Sequence, residues 1–385
     1  MKSHDVPEGW AWITLSKSYV VVNDKNKQIK TLEYQTTGKI PIVDQSSDFI
    51  CGYTDDESKK ITISKPLIVF GDHTRHVKLI SFDFAVGADG TQLLEPSAKY
   101  DARFLYYVIC RASELIGNYG YDRHLKHLNK FRTKAPNSLE EQRKIASVLF
   151  AIDKAIEKTK ALIGKKTKIK EGLMQTFFSI NKSEGMIDIE LGNPQYFELK
   201  TGGTPSTSIP GYWGGNIKWM TSGDIHRKRV YDVEGRITER GYKNSNASFI
   251  PQDSILIALA GQGKTRGTVA INKIPITMNQ SVAAVIPNKA KIVPEYLYYY
   301  LDNRYIELRS ISAGAGRAGL SLSIIAKYRI CIPKDLEKQK YISRILSAID
   351  NGIICEYLYL NKLHMIKDGL LQDLLTGKVR VKMAA

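Results

Sequence analysis

The chain of 385 residues contains one long segment twice, and this duplication constrains its fold more than any other feature. Residues 128–142 read LNKFRTKAPNSLEEQ, and residues 325–339 read IAKYRICIPKDLEKQ. From Leu139 to Gln175, 15 of 37 positions are identical to the position 197 residues later, without a gap. A repeat of this length predicts two copies of one structural unit.

Weaker similarity extends the repeat towards the start of each copy. GWAWITL at Gly9 resembles GMIDIEL at Gly185, and GKIPIV in the first copy resembles GNIKWM in the second. RFLYYVI at Arg103 resembles EYLYYYL at Glu295. The offset grows from 176 to 192 and then 197, so we expect the second copy to contain about twenty extra residues, inserted in steps.

The second part of each copy has the spacing of a long amphipathic helix. Apolar residues recur at intervals of four, three and four, which is typical of a helix that pairs with another helix. Ser138 and Asp335 suit the N-cap position ahead of LEEQ and LEKQ. The predicted seam consists of Ile145, Leu149, Ile152 and Ile156 in the first helix and Ile342, Leu346, Ile349 and Ile353 in the second.

Two matching seams in one chain favour pairing of these helices with each other. Each helix has about 40 residues and is therefore about 60 Å long. Connectivity favours an antiparallel pair with a globule at either end, and packing of each helix on its own globule is the alternative. The seam of the first helix weakens at Thr159 and Lys166, so a different partner for its middle is also open.

The first part of each copy is rich in short alternating runs, glycines and turns, which indicates a mixed α/β globule. We therefore predict an α+β protein in which two α/β domains in tandem are separated by two long antiparallel helices. The helices form a coiled coil, and the chain has an internal pseudo-twofold repeat. The predicted boundaries are 1–135 and 181–332 for the globules and 136–180 and 333–381 for the helices.

Fifty-six basic residues against 39 acidic ones give a net charge of +17, which suggests a polyanionic partner. A merely basic protein is the alternative on charge alone. No apolar run suits a membrane helix or a signal peptide. The four cysteines are scattered without metal-ligand spacing, as is typical of reduced thiols. We expect a cytoplasmic protein without a membrane partner, metal or other cofactor.

The stretch ALAGQGKTRGTVAI, from Ala258 to Ile271, raises the question of nucleotide binding. Gly263, Lys264 and Thr265 fit the end of a phosphate-binding loop, but Ala258 stands where its first glycine belongs. The following RGTVAI predicts a strand, whereas a phosphate loop needs a helix N-terminus there. LIVFGDHTRHVKLI in the first copy keeps the strands and Thr-Arg without any GKT. We therefore predict a hairpin turn rather than a nucleotide site.

Signals for catalysis are weak. NPQY, from Asn193 to Tyr196, resembles the NPPY motif of adenine methyltransferases, but Gln195 breaks the motif and no FxGxG cofactor loop precedes it. The tyrosine runs LYYV and LYYYL predict buried helix faces, with stacking on nucleic-acid bases as the alternative. The residues therefore favour a protein that is not itself a catalyst.

The chain resembles the specificity subunit of type I restriction–modification enzymes over essentially its whole length. The resemblance rests on the twice-occurring P-x-x-L-E-x-Q…I…L-x-A-I-D with K-x-G-L-x-Q, on TGGTPSTSIPGYWGGNIKWMTSGDI (201–225) and on NQSVAAVIP (279–287). The first copy departs from the pattern, since TTGKIPIVDQS stands where the GGTP motif is expected. Membership implies two target-recognition domains that each read one half of a split DNA site. It also implies that the helices space the half-sites and dock two methyltransferase subunits, with restriction subunits joining that core.

The resemblance and the charge together select candidate DNA contacts. They lie in the two hairpin turns, in the HRKR cluster and in a glycine-rich loop, with a solvated surface as the alternative for each. The candidates are Thr74, Arg75, His76, His226, Arg227, Lys228, Arg229, Lys264, Thr265, Arg266 and Arg317. Two other functions stay open: recognition for a two-component type IIB-like restriction enzyme, and an interaction scaffold that reads no sequence.

Overall fold

The computed structural model describes residues 6–87, 89–117, 120, 122–179, 184–261, 263–311 and 319–382. The chain divides into two compact units, the first formed by Met1–Leu162 with Glu356–Ala385 and the second by Ile163–Cys355. Each unit therefore contains one globular part and portions of both long helices. None of the helices in the described ranges combines the length and apolar character needed to cross a bilayer.

The first unit is built from short strands and two short helices, followed by the start of a long one. Its helices are α1 (Ala102–Leu115), α2 (Leu125–Lys130) and the beginning of α3 (Leu139–Phe178). Its strands are β1 (Trp10–Thr14), β2 (Tyr19–Val21), β3 (Gln28–Ile29), β4 (Ile40–Val43), β5 (Gly52–Thr54), β6 (Lys60–Ile61), β7 (Leu67–Gly71), β8 (Val77–Ile80), β9 (Phe84–Gly87), β10 (Thr91–Pro96) and β11 (Arg132–Pro136).

These strands form three sheets. An antiparallel sheet has the order β2-β10-β7-β8, and β3-β9-β4-β5 with β6 forms a mixed sheet. The apolar run of β7 is buried, as expected for a central strand. Helix α1 begins at its N-cap Asp101 and packs Phe104, Leu105 and Val108 into the same core as Phe70. Strands β1 and β11 pair separately and lead into α3.

The second unit has the same kinds of element. Its strands are β12 (Met186–Glu190), β13 (Phe197–Thr201), β14 (Trp213–Met220), β15 (Arg229–Val230), β16 (Arg236–Ile237), β17 (Ile255–Ala258), β18 (Val269–Asn272), β19 (Thr277–Met278), β20 (Val282–Pro287) and β21 (Arg329–Pro333). Its helices are α4 (Glu239–Lys243), α5 (Pro294–Asp302), α6 (Tyr305–Ser310), α7 (Leu322–Ala326) and the beginning of α8 (Leu336–Leu374).

The two units repeat one sheet order, which confirms the predicted duplication. The second unit has β13-β20-β17-β18-β15, where the first four strands correspond to β2-β10-β7-β8. Strands β12 and β21 pair as β1 and β11 do. The tyrosine run of α5 is buried in the core with Phe178, so the prediction of a packed helix face is confirmed.

Strand β15 has no counterpart in the first unit's four-stranded sheet. It runs parallel to β18, with Arg229 opposite Ile271. The segment that carries it, 221–235, connects β14 to β16, whereas the corresponding connection from β4 to β5 is the shorter 44–51. One of the stepwise insertions in the second copy is therefore this segment, and it covers the edge of the sheet that β8 leaves open in the first unit.

Both predicted long helices are present, with the predicted caps. The amide of Glu141 donates to Ser138 Oγ (3.4 Å), and that of Glu337 donates to Asp335 Oδ1 (2.8 Å). In each helix a buried glutamine then ties the first turn to the chain before α1 or α5. Gln142 accepts from Asp101 N (2.8 Å) and donates to Pro136 O (2.9 Å), and Gln339 accepts from Val293 N (2.8 Å) and donates to Pro333 O (2.8 Å). The duplication therefore extends to individual hydrogen bonds.

The two long helices contact each other within each unit. In the first unit Lys367 of α8 forms an ion pair with Asp153 of α3 (2.7 Å), and in the second unit Lys170 of α3 pairs with Asp350 of α8 (2.6 Å). In the first unit Ile145 of α3 shares a core with Leu374 of α8 while Asp153 pairs with Lys367, so the helix segments within this unit run antiparallel. In the second unit Ile342 shares a core with Phe178 while Asp350 pairs with Lys170, which gives the same direction.

The burial of the predicted seam residues follows this pairing. Ile145 and Leu149 share a core with Leu371 and Leu374 of α8. Ile342 and Leu346 share a core with Met174 and Phe178 of α3. Ile156 is also buried, while Ile152, Ile349 and Ile353 are half-buried. The helices therefore pack both on the globular parts and on each other.

Candidate nucleic-acid interface

The turn between β7 and β8 in the first unit is held by contacts to the start of α2 and to the connection after β4. Asp72 is buried, its carboxylate accepts from Leu125 N (2.7 Å), and its carbonyl accepts from His124 N (2.8 Å). The hydroxyl of Thr74 donates to Gln45 O in the connection after β4. These contacts fix the turn and leave the side chains of His73, Thr74 and His76 exposed.

Arg75 of the same turn points towards the protein. Its guanidinium donates to the carbonyls of Ser113 (3.3 Å) and Ile116 (3.0 Å) at the end of α1. A cation is stabilised there by the negative end of the helix dipole. Its backbone φ of 62° is the left-handed conformation that closes the turn. The guanidinium of Arg75 therefore anchors the turn to α1.

The GKT segment of the second unit is a turn between β17 and β18, so the predicted hairpin is confirmed. A strand follows it, not the helix N-terminus that a phosphate loop requires. Gly263 and Gly267 have φ of 67° and 79°, which explains the glycines at these positions. The side chain of Lys264 is exposed, while its carbonyl accepts from Tyr305 Oη (3.1 Å).

Two predicted segments of the second unit meet at this turn. His226 Nε2 lies 3.1 Å from Thr265 Oγ1, which joins the HRKR cluster to the hairpin. The contact parallels the one between Thr74 and Gln45, because both involve the threonine of Thr-Arg and the connection after the corresponding strand. Thr265 and Arg266 are half-buried, and His226 and Arg227 are exposed.

The HRKR cluster begins in a short 3₁₀-helix (Ser222–Arg227) that Thr221 and Asp224 close with reciprocal hydrogen bonds. Arg227 then lies near Asp224 (3.5 Å) on the exposed side. Lys228 adopts a positive φ of 60° and forms an ion pair with Asp302 (2.6 Å). The backbone therefore turns at Lys228 and directs the next residue inwards.

Arg229 sits inside the second unit, where only 15% of its side chain is exposed. Its guanidinium donates to Asp350 (3.2 Å), Glu295 (3.2 Å) and Tyr299 Oη (2.7 Å). Burial by itself would lower the pKa of Arg229, but Tyr299 and Glu295 outweigh it and raise this pKa above its ordinary value. The guanidinium of Arg229 is therefore engaged by side chains of the second unit.

Sequence reasoning missed the residues that position these side chains. Gln45 accepts from His73 N through its side chain and from Thr74 through its carbonyl. Gln45 is 28 positions from His73 and 29 positions from Thr74, so no local pattern could have shown these contacts. His73 itself could have been named from its place in the turn. Arg317 lies outside the described residues.

The NPQY segment has a local structural role. The side chain of Asn193 accepts from the amide of Gln195 (3.0 Å), so NPQY forms a turn before β13. Across the described ranges, no group of three or more His, Cys, Asp or Glu side chains could hold a metal ion.

Comparison with known proteins adds one family and one fold. The family model described as the type I restriction modification DNA specificity domain matches residues 7–165 and again 195–363. The specificity subunit of the type I restriction enzyme EcoR124I/EcoR124II from Escherichia coli is 24% identical over 356 residues, which cover 88% of this chain and 86% of that protein.

Solved structures share the fold of the whole chain. The S subunit of a type I restriction–modification system from M. genitalium aligns with a TM-score of 0.66 at 18% identity, covering 100% of this chain and 99% of that one. A chain from a structure that concerns complex assembly and conformational transition of the type I R-M system aligns with a TM-score of 0.55 at 16% identity, covering 98% and 100%.

Proposed function

The chain belongs to the type I restriction modification DNA specificity family, and from this membership we propose that it reads a bipartite DNA sequence for a multisubunit restriction–modification enzyme. Each α/β domain, 1–135 and 181–332, reads one half of the site. The observation that carries this proposal is the duplicated sheet with a fixed hairpin turn in each copy. A repeated scaffold with different turn residues suits a reader of two unlike half-sites.

The exposed side chains support unequal half-sites. The first turn offers His73, Thr74 and His76, and the second unit offers His226, Arg227 and Lys264. Basic side chains neutralise phosphates, while hydroxyl and imidazole groups form hydrogen bonds with base edges. The net charge of +17 supports the phosphate contribution.

The helical segments 136–180 and 333–381 set the gap between half-sites and dock two methyltransferase subunits, and two restriction subunits join that core. Large apolar side chains on α8 support docking, because more than half of Leu358 and of Met365 is exposed to solvent. These two residues are seven positions apart, so they lie on one face of the helix.

In this proposal the chain positions the methyltransferase and does no chemistry itself. Recognition for a two-component type IIB-like enzyme is the second candidate, and the duplicated domains serve it equally well. A neighbouring gene for a fused nuclease and methyltransferase would favour that candidate. A scaffold that reads no sequence is the third.

Methylome sequencing of cells that express the chain with its methyltransferase tests the proposal. We expect methylation confined to one asymmetric motif of two parts with a gap of constant length. Methylation at unrelated sites, or at a continuous motif, would contradict sequence reading by two domains.

Docking on α8 has its own test. We expect the double variant Leu358→Glu/Met365→Glu to lower the affinity for the methyltransferase at least about tenfold, because charges enter an apolar contact. His364→Glu, an exposed change on the same helix, is the matched control. Equal methyltransferase affinity for both variants in a titration would remove this face from the interface.

A further inference from the structure

A groove of about 310 Å³ lies in the first unit, beside the paired strands β1 and β11. Its apolar lining includes Trp12, Val108, Leu115, Phe131 and Leu375. Trp12 is 49% exposed and Leu115 is 61% exposed. A concave site of this volume with a mainly apolar lining and a few polar groups is typical of a small ligand-binding pocket.

Cations surround this groove. Arg111, Arg132 and Lys134 line it, and no carboxylate is among the described residues that do. The guanidinium of Arg132 lies 5.5 Å and the ammonium of Lys134 lies 5.4 Å from the centre of the Trp12 ring. A ligand that enters the groove therefore meets an aromatic surface and three positive charges.

The second unit supplies acids where this groove has none. Arg329 corresponds to Arg132 at the offset of 197, and it forms ion pairs with Asp188 (3.1 Å) and Glu190 (3.4 Å). At the offset of 176 these acids correspond to Trp12 and Thr14. The first unit thus has the arginine but neither of the two carboxylates that pair with it in the second unit.

A third acid of the second unit is also replaced in the first. Tyr328 donates to Glu307 (2.7 Å), and at the offsets of 197 and 192 these residues correspond to Phe131 and Leu115. The three acids that form these contacts in the second unit therefore have uncharged counterparts in the first.

Aromatic side chains fill the corresponding space in the second unit. Tyr300 and Phe178 pack edge to face with their ring centres 5.7 Å apart. They correspond to Val108 and Leu375, which are much smaller. The first unit therefore has two small side chains in the groove lining at the positions where the second unit has two rings.

We propose that this groove binds an acidic peptide segment with an aromatic anchor, contributed by a protein partner. The anchor ring occupies the space that Tyr300 and Phe178 fill in the second unit. Its flanking carboxylates pair with Arg111, Arg132 and Lys134 in charge-assisted hydrogen bonds. The site lies apart from the hairpin turns, and its existence does not rest on the proposed DNA reading.

Fluorescence anisotropy on the full chain tests this site with a labelled peptide of the sequence Glu-Asp-Glu-Phe-Glu-Asp-Glu. We expect replacement of Phe by Ala in the peptide to weaken binding at least about tenfold, and replacement of its acids by amides to abolish it. Equal binding of the Phe and Ala peptides would overturn the proposal, because charge alone would then explain the affinity.

Two groove variants of the chain test whether the peptide binds in this groove. Trp12→Asp/Leu115→Glu copies the second unit and changes the charge by −2, and the exposed Lys30→Glu changes it equally outside the groove. Val108→Tyr fills the groove without changing the charge. We expect a loss of at least about tenfold for both groove variants and little change for Lys30→Glu, with thermal unfolding as the check on folding.

Other occupants give different results. If Val108→Tyr binds the peptide with the same affinity as the unaltered chain, the proposal is overturned. So would a loss of duplex DNA affinity in the groove variants beyond that of Lys30→Glu, since the groove would then be a DNA surface. Dimers in sedimentation that disappear in Val108→Tyr would assign it to a second copy of the chain, which also overturns the proposal.

Discussion

Arg227 and Arg229 are separated by one residue, yet their guanidinium groups have different surroundings. Arg227 is exposed, whereas Arg229 contacts Glu295 and Asp350 inside the second unit. The sequence shows only that both are basic. Their separation in role depends on partners 66 and 121 positions away and on the positive φ of Lys228, which local patterns do not reveal.

We expect Arg229→Ala to lower the free energy of unfolding by about 1–3 kcal/mol, because it removes three charge-assisted hydrogen bonds inside the second unit, although Asp350 keeps Lys170 and Glu295 keeps Lys273. Arg227→Ala is the matched control, with an expected change below about 0.5 kcal/mol for an exposed side chain. Denaturant unfolding measures both. Equal stabilities would mean that Arg229 is not the structural member of the pair.

Lys264→Ala should weaken duplex DNA binding and reduce the slope of log K against log salt concentration by about 0.9, the value for one phosphate contact. Lys338→Ala, an exposed change on α8, should leave the slope unchanged. Titrations at several salt concentrations measure the slope. An unchanged slope for Lys264→Ala would exclude a phosphate contact, and ATP binding by the chain would contradict the hairpin interpretation of GKT.

At the scale of elements, the long helices and the hairpins follow from local spacing and are predicted well. Strand β15 is different, because its two residues gain strand structure only by pairing with β18. The matching hydrogen bonds of Gln142 and Gln339 could not be predicted from the sequence either. A glutamine in the first turn of a helix normally lies in water, and only the chain before α1 or α5 buries it.

These glutamines make a quantitative prediction. We expect Gln142→Ala and Gln339→Ala each to lower the free energy of unfolding by about 1–3 kcal/mol, since each leaves buried backbone groups without partners. Gln175→Ala, which removes an exposed glutamine from α3, should change it by less than about 0.5 kcal/mol. Urea unfolding compares all three. A loss at only one of the buried positions would contradict their equivalence.

At the scale of the whole molecule, the same ion pair between α3 and α8 occurs twice, and the helix that supplies the aspartate in one pair supplies the lysine in the other. Asp153 and Lys170 of α3 lie 197 positions before Asp350 and Lys367 of α8, and each aspartate pairs with the lysine of the other helix. The separation between aspartate and lysine is therefore the same in both helices. We therefore expect a change of length in one helix alone to make these separations unequal, and equal changes in both helices to keep them equal.

We expect deletion of four residues near Thr159 in α3 alone to abolish complex formation or to alter the gap between half-sites. Deletion of seven residues from each helix, between its aspartate and its lysine, should keep both ion pairs and shorten the gap by about three base pairs. The estimate uses 1.5 Å per residue and 3.4 Å per base pair. Methylome sequencing reads the gap, and an unchanged gap in the doubly shortened chain would refute the spacer role.

The connection 221–235 exceeds its counterpart 44–51, while the strands on either side keep their order. The length of the chain therefore differs at this point while the order of the shared strands is the same. The longer connection places additional side chains beside the turn between β17 and β18, as the contact of His226 with Thr265 shows. The order of the surrounding strands is unchanged. Under the proposed DNA-reading function, new sequence preferences would arise from lengthening of this connection more readily than from changes in the buried strands.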